Sequence, residues 1–197
     1  MSTEFQWQDV VDLFIPHPTQ RQLLVQVVDA QLRLPTVAIG RVWDGPIGRI
    51  NAAVQEQFGL ETTVVRQLAE QSDEDQRLVF HLYLLEIHSP TWIPRDKLRW
   101  IDRVELDQLT VRHPTHRSAV ETCFQEITSG SVPPRRAQWE QPGWFRLAVA
   151  WIHEQLTQMG HPATGPVEQV KHWCLSSIVR VPRPKAGSIS RPPTVRR

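Results

Sequence analysis

Eight histidines and two cysteines are the side chains here that most readily do chemistry, and their spacing limits what they can do. His113 and His116, in the run HPTH, stand three apart with a proline between them. No third ligand lies near in sequence, so a zinc site is not expected and local structural roles are. His81 and His88 fall on opposite faces of an expected strand by its period of two, which argues against a shared site. Cys123 and Cys174 sit far apart in apolar surroundings. Neither a disulfide, a CxxC metal site nor a catalytic thiol is supported, and buried packing is expected for both. No G-x-S-x-G, P-loop or G-x-G-x-x-G occurs. Trp139, Trp144, Trp151 and Trp173 are expected to serve packing around a linker and the last helix, with a stacking site for a base or sugar as the other use.

The elements that would position these groups follow from periodicity. After a leader (1–19), RQLLVQVVD reads as a strand, AQLR as a turn and LPTVAIGRVW as the strand that returns. In GPIGRINAAVQEQFGLE, Pro46 suits a first helical position. Ile47, Ile50, Val54 and Phe58 make one apolar face, and Gly59 stops the helix. LETTVVRQLAEQ and QRLVFHLYLLEIHS are strands joined by the polar loop SDED, and KLRWIDRVELDQL holds one more short strand. HPTHRSAVETCFQEITSG is a helix with Thr115 as cap and Val120, Cys123, Phe124 and Ile127 inward. A linker rich in Gly, Ser and Pro (131–142) leads to a helix with Phe145, Ala148, Val149, Ile152, Leu156 and Met159 on one face. GPVEQVKHWCLSSIVRV then reads as a short helix passing into a strand. The expected fold class is α+β, a mixed sheet between helices.

The helix Pro46–Phe58 with its Gly59-Leu60 ending resembles a Nudix box, and the order of elements over residues 20–130 is similar to a Nudix domain. Anchored on Gly59, the resemblance places the box Arg-Glu on Ala52 and Ala53, the Glu-Glu on Glu56 and Gln57, the upstream glutamate on Asp44 and the leading glycine on Ala38. Magnesium needs several hard oxygen ligands, which that box would supply from its glutamates. Here Glu56 alone survives in the helix, with Asp44 as a shorter substitute. The resemblance therefore implies a domain with no catalytic, metal or cofactor site, able to hold a nucleotide-like small molecule. The alternative is a Mg2+-dependent hydrolase of a nucleoside diphosphate-linked substrate that uses Asp44, Glu56 and a further carboxylate such as Glu61 or Glu105.

Residues 143–181 resemble the start of an aminoglycoside-phosphotransferase-like (kinase-like) domain. Gly165, Val167, Glu168, Gln169, Trp173, Ser177, Val179, Arg180 and Val181 carry that match. The resemblance implies a further strand with an ATP-anchoring lysine. Lys185 lies on no expected strand, and no catalytic or metal-binding aspartate follows, so phosphotransfer is not expected. The sequence thus reads as a non-catalytic module, a remnant N-terminal part of a larger phosphotransferase-like protein, with the pattern truncated at Val181.

Composition agrees with a globular body. The 197 residues are 40% hydrophobic and 22% charged, with no apolar run long enough for a membrane span and no signal pattern, so a cytoplasmic protein is expected. From Arg180 onward there are six basic residues and no acidic one, leaving a body with 16 basic and 21 acidic residues, net −5. Such a body is not expected to bind nucleic acid, and the tail (182–197) is expected to be disordered.

Overall fold

The computed structural model describes residues 7–40 and 46–182. Asp44 and the tail beyond Pro182, Lys185 included, lie outside them. Two four-stranded mixed sheets and a hairpin are formed from ten strands among the described residues. The larger core sheet has the order β4 (Thr36–Gly40), β1 (Gln8–Phe14), β6 (Leu78–Ile87) and β5 (Thr62–Asp73). β1 runs parallel to β6, and the other pairs are antiparallel. The second sheet has the order β7 (Leu98–Ile101), β2 (Leu23–Val28), β3 (Gln31–Arg33) and β8 (Leu109–Thr110).

Helix α1 (Ile47–Phe58) covers one face of the core sheet, and α3 (Pro114–Ser129) covers the other. The alternation of β6 shows this: Tyr83, Leu85 and Ile87 pack with Ile47, Ile50 and Val54 of α1. Leu82 and Leu84 pack with Val120, Cys123 and Phe124 of α3, and with Leu23 and Val25 of the second sheet. The architecture is α+β, a mixed sheet between helices. The helix α1 stripe is where the periodicity placed it, and Gly59 ends it at φ 65°, a left-handed conformation that favours glycine. A short helix α2 (Arg103–Leu106) is capped by Asp102, whose carboxylate accepts from Val104 N and Glu105 N.

Four local expectations are corrected. The stretch read as a leader contains β1, with Val11, Leu13 and Phe14 fully buried. Asp29 and Ala30, at φ 49° and 60°, form the tight turn after β2, so the return strand is β3, inside the segment read as a turn. Pro35 then breaks that ladder, and Thr36–Gly40 crosses to pair with β1 instead of β2. Helix α3 is capped by His113, whose Nδ1 accepts from Thr115 N at 3.3 Å, and not by Thr115.

Beyond the linker, α4 (Trp144–Gln158) is helical as expected, but Glu168–Trp173 is a strand, β9, where a helix was expected. It forms a hairpin with β10 (Ser176–Arg180) through the tight connection at Cys174-Leu175. Cys174 is exposed there, contrary to its expected burial, whereas Cys123 is buried. Trp151 is also largely exposed, and Trp173 is partly so. Among the described residues no helix is long and apolar enough to cross a membrane.

Candidate functional site

Helix α1 presents two polar faces beside its buried stripe. On the first stand the positions where the Nudix resemblance looks for carboxylates. Ala53 is half-buried against the core cluster, and the Gln57 amide donates to the Thr36 carbonyl at 3.4 Å. Glu56 points to solvent. Of the other candidates, Glu105 is held by Arg99 at 2.6 Å on the second sheet, and Glu61 is exposed just ahead of β5. Among the described residues no group of three His, Cys, Asp or Glu side chains could hold a metal ion. Among the described residues, a methyl group, an amide tied to backbone and one solvent-facing carboxylate do not by themselves fit a magnesium ion, which takes oxygen ligands in octahedral array.

The second face, with Gly48, Asn51, Ala52 and Gln55, floors a cleft of about 660 Å³. Glu61, just ahead of β5, and Thr62 and Thr63 at its start form one wall. Phe145, Val149 and His153 of α4 form the other, and Glu168 and Gln169 of β9 close one end. An adjoining cavity of about 470 Å³ shares His88, Phe145 and Val149, and is walled by Pro18, Ile87 and Pro90. Both volumes suit a small-molecule site.

Gln169 fixes this geometry. β5 is an edge strand of the core sheet, so its outer backbone groups need partners. The buried Gln169 amide supplies both: Oε1 accepts from Val64 N at 2.9 Å, and Nε2 donates to Val64 O at 2.7 Å. The same Oε1 accepts from Asn51 Nδ2 at 3.3 Å, and Thr62 Oγ1 donates to Asn51 Oδ1 at 3.3 Å. One side chain thereby joins the hairpin to both α1 and β5.

His88, just past β6, bonds Thr63 Oγ1 through Nε2 at 2.6 Å and stacks on Phe145 with centroids 5.7 Å apart and rings 13° from parallel. Burial lowers its pKa, with Glu86 and Glu61 opposing, so the ring is neutral at neutral pH. Glu86 in turn accepts from Gly143 N at 2.8 Å, tying down the start of α4.

The remaining sequence candidates fall outside this cleft. His113 caps α3, whereas His116, fully buried, places Nδ1 3.1 Å from Asp12 Oδ2, so the two histidines do separate structural work. Asp12 also accepts from Thr36 Oγ1 at 2.9 Å and from Arg112 Nε at 3.5 Å. His81 lies 3.4 Å from both Asp9 and Glu70 and shares no partner with His88. Burial pushes the Cys123 thiol up to about 12, which leaves it unreactive. Sequence reasoning missed Asp12, Thr63, the role of His88 and the anchoring by Gln169. A buried glutamine facing an edge strand leaves no signal at the level of spacing.

No family model matches this sequence, and no curated protein matches it closely enough to be a relative. Solved structures are similar to parts of it. The E. coli ORF135 protein aligns with a TM-score of 0.47 at 16% identity, over 68% of this chain and 99% of that one. A NUDIX hydrolase from Nitrosomonas europaea aligns with a TM-score of 0.48 at 11% identity, over 64% and 74%. An ADP-ribose pyrophosphatase from Streptococcus suis aligns with a TM-score of 0.43 at 18% identity, over 64% and 94%.

Proposed function

We propose that this chain is a non-catalytic Nudix-like binding module, followed by a segment that resembles the start of a phosphotransferase-like domain, whose ligand site is the cleft between α1 and α4. The observation that carries the reading is the state of α1. Where a hydrolase of that kind would aim carboxylates at a metal, Ala53 is used for packing and Gln57 for a bond to the Thr36 carbonyl. The other polar face of the same helix floors a cleft of small-molecule size. The phosphotransferase-like part of the reading is supported by the run Gly165–Val181, in which Ser176–Arg180 forms the strand that the resemblance implies.

The test is catalytic. The protein is incubated with a panel of nucleoside diphosphate-linked substrates in millimolar magnesium, and products are separated by chromatography. No product is expected, and magnesium should leave the melting temperature unchanged. Magnesium-dependent cleavage that disappears in Glu56→Gln would establish a hydrolase instead.

A further inference from the structure

On the α3 face of the core sheet, the face opposite α1, one carboxylate stands between two arginines. The register of β5 against β6 passes over a residue between Val64 and Arg66, and again between Gln67 and Ala69. The first of these bulges breaks the alternation, so that Val65 and Arg66 both face α3. The Arg66 side chain is only 8% exposed. Its Nη2 donates to the Glu126 carboxylate and lies 3.6 Å from Cys123 Sγ. Arg136, from the linker, donates through Nη2 to both oxygens of the same carboxylate, at 3.1 and 3.2 Å.

These side chains line a groove of about 440 Å³ between α3 and β5. Leu68, Ala69 and Ala119 make its apolar part, and Thr115, Ser118 and Thr122 follow one another along the helix. The Gln67 amide is engaged by Glu70, the Ser118 hydroxyl by the Thr115 carbonyl and the Thr115 hydroxyl by His113. The Thr122 hydroxyl has no partner among the described residues and is free to donate.

The charges here do not balance. Two guanidiniums and one carboxylate leave a surplus of one positive charge, and no other charged side chain among the described residues lines the groove. Burial pushes the Cys123 thiol up to about 12, so it stays protonated and offsets nothing. Arg136 Nε is buried and has no partner among the described residues. A positive surplus on arginines largely withdrawn from water is costly unless an anion answers it. The guanidinium fork matches the oxygens of an oxyanion. Donors come from three side chains, Arg66, Arg136 and Thr122. A tetrahedral anion has an oxygen for each, whereas a carboxylate has only two.

We propose that the groove between α3 and β5 is a second binding site, for a tetrahedral oxyanion of the phosphate class held by Arg66, Arg136 and Thr122. It is independent of the cleft between α1 and α4 and of the function given to that cleft. The groove is larger than a phosphate ion fills, so its apolar part has room for the organic part of a phosphate monoester.

Isothermal titration of the full chain at constant ionic strength, with inorganic phosphate, glycerol phosphate and acetate, tests it. Saturable binding of inorganic phosphate is expected, at least about tenfold tighter than acetate. Tighter binding of glycerol phosphate would assign the groove to a phosphorylated organic molecule, and equal binding to the free ion. Arg136→Gln leaves Arg66 and Glu126 as a balanced pair and should weaken phosphate binding at least about tenfold. Glu126→Gln raises the positive surplus and should tighten it, a gain that a purely structural clamp would not give. Circular-dichroism melts check that each variant folds, and if Glu126→Gln does not, Arg136→Gln decides alone. No saturable phosphate binding, acetate bound as tightly, affinity unchanged in Arg136→Gln, or no gain in folded Glu126→Gln would each overturn the proposal.

Discussion

Helices α1 and α4 face each other across one cleft, yet they are held by different forces. On α1, Ile47, Ile50 and Val54 are 2%, 0% and 0% exposed and lock into the core sheet. On α4, Phe145 and Leu156 are buried, but Leu147 and Trp151 are 68% and 62% exposed, so apolar surface fixes that helix much less. The extension is instead positioned by directional contacts: Gln169 on Val64, Glu86 on Gly143, and the Phe145–His88 stack. Hydrophobic burial is strong but non-directional, whereas hydrogen bonds give little net stability and much geometry. The body should therefore carry the stability, and the extension should carry the shape of the cleft.

The most severe test of that division strikes the body. Val54→Asp places an unpaired carboxylate where no surface is exposed and should cost several kcal/mol, enough to abolish cooperative unfolding in urea. Glu56→Gln, two positions along but facing solvent, should leave the midpoint unchanged. Similar losses in both variants would mean that α1 is rotated from the orientation described.

Next in size is Asp12→Ala. It strands the fully buried His116 and removes the acceptor for Thr36 and Arg112, so about 3 kcal/mol should be lost in the same urea melts. Because Asp12 lies in β1, away from the extension, ligand titrations of the folded fraction should be unaltered. A change in ligand affinity would show that the two regions are coupled.

How much of this was legible follows from the range of each interaction. The α1 stripe, the Gly59 stop, the β5–β6 hairpin and the inward face of α3 are local patterns, and the sequence shows them directly. β1 was hidden because both its faces are buried, so it lacks clean alternation. The acid in its middle, Asp12, makes sense only beside His116, 104 residues away. The hairpin β9–β10 was misread for a related reason: Gln169 is buried only because β5 offers it Val64, at a separation of 105 residues. Glu61, Gln55, His88 and His153 come from four segments, so no motif could announce the cleft they share.

The anchoring itself supplies a smaller and more discriminating trial. Gln169→Leu keeps the side chain's bulk but leaves Val64 N–H and C=O without partners, at a cost of about 2 kcal/mol if the hairpin stays docked. The extension should relieve this by lifting off. Hydrogen exchange at Val64 should then accelerate, and trypsin should cut faster at Arg135 and Arg136. Protection in β1 and β6 should persist. If their protection fell in parallel, extension and body would be one cooperative unit, and the division drawn here would fail.

Acidification should produce the smallest effect, and its sign is fixed by the direction of the shifts. Burial lowers the pKa of His88 and, despite opposing contributions from Val65 and Glu140, that of His172 on β9. The unfolded chain takes up these protons at about pH 6.5, whereas the folded chain holds them off until lower pH. Stability from the neutral rings is therefore complete above about pH 6.5. It declines as pH falls towards the lowered folded values, below which it changes no further. His88 stacks on Phe145, and His172 faces Val65, so both losses fall on the docking of the extension. Hydrogen exchange at Val64 and in α4 should consequently rise relative to β1 between about pH 7 and about pH 5.5, after correction for intrinsic rates. His88→Gln should flatten part of that rise, and His88→Gln/His172→Gln most of it. A body that loosened first on acidification, or docking that tightened, would place the pH-sensitive contacts elsewhere than on the cleft.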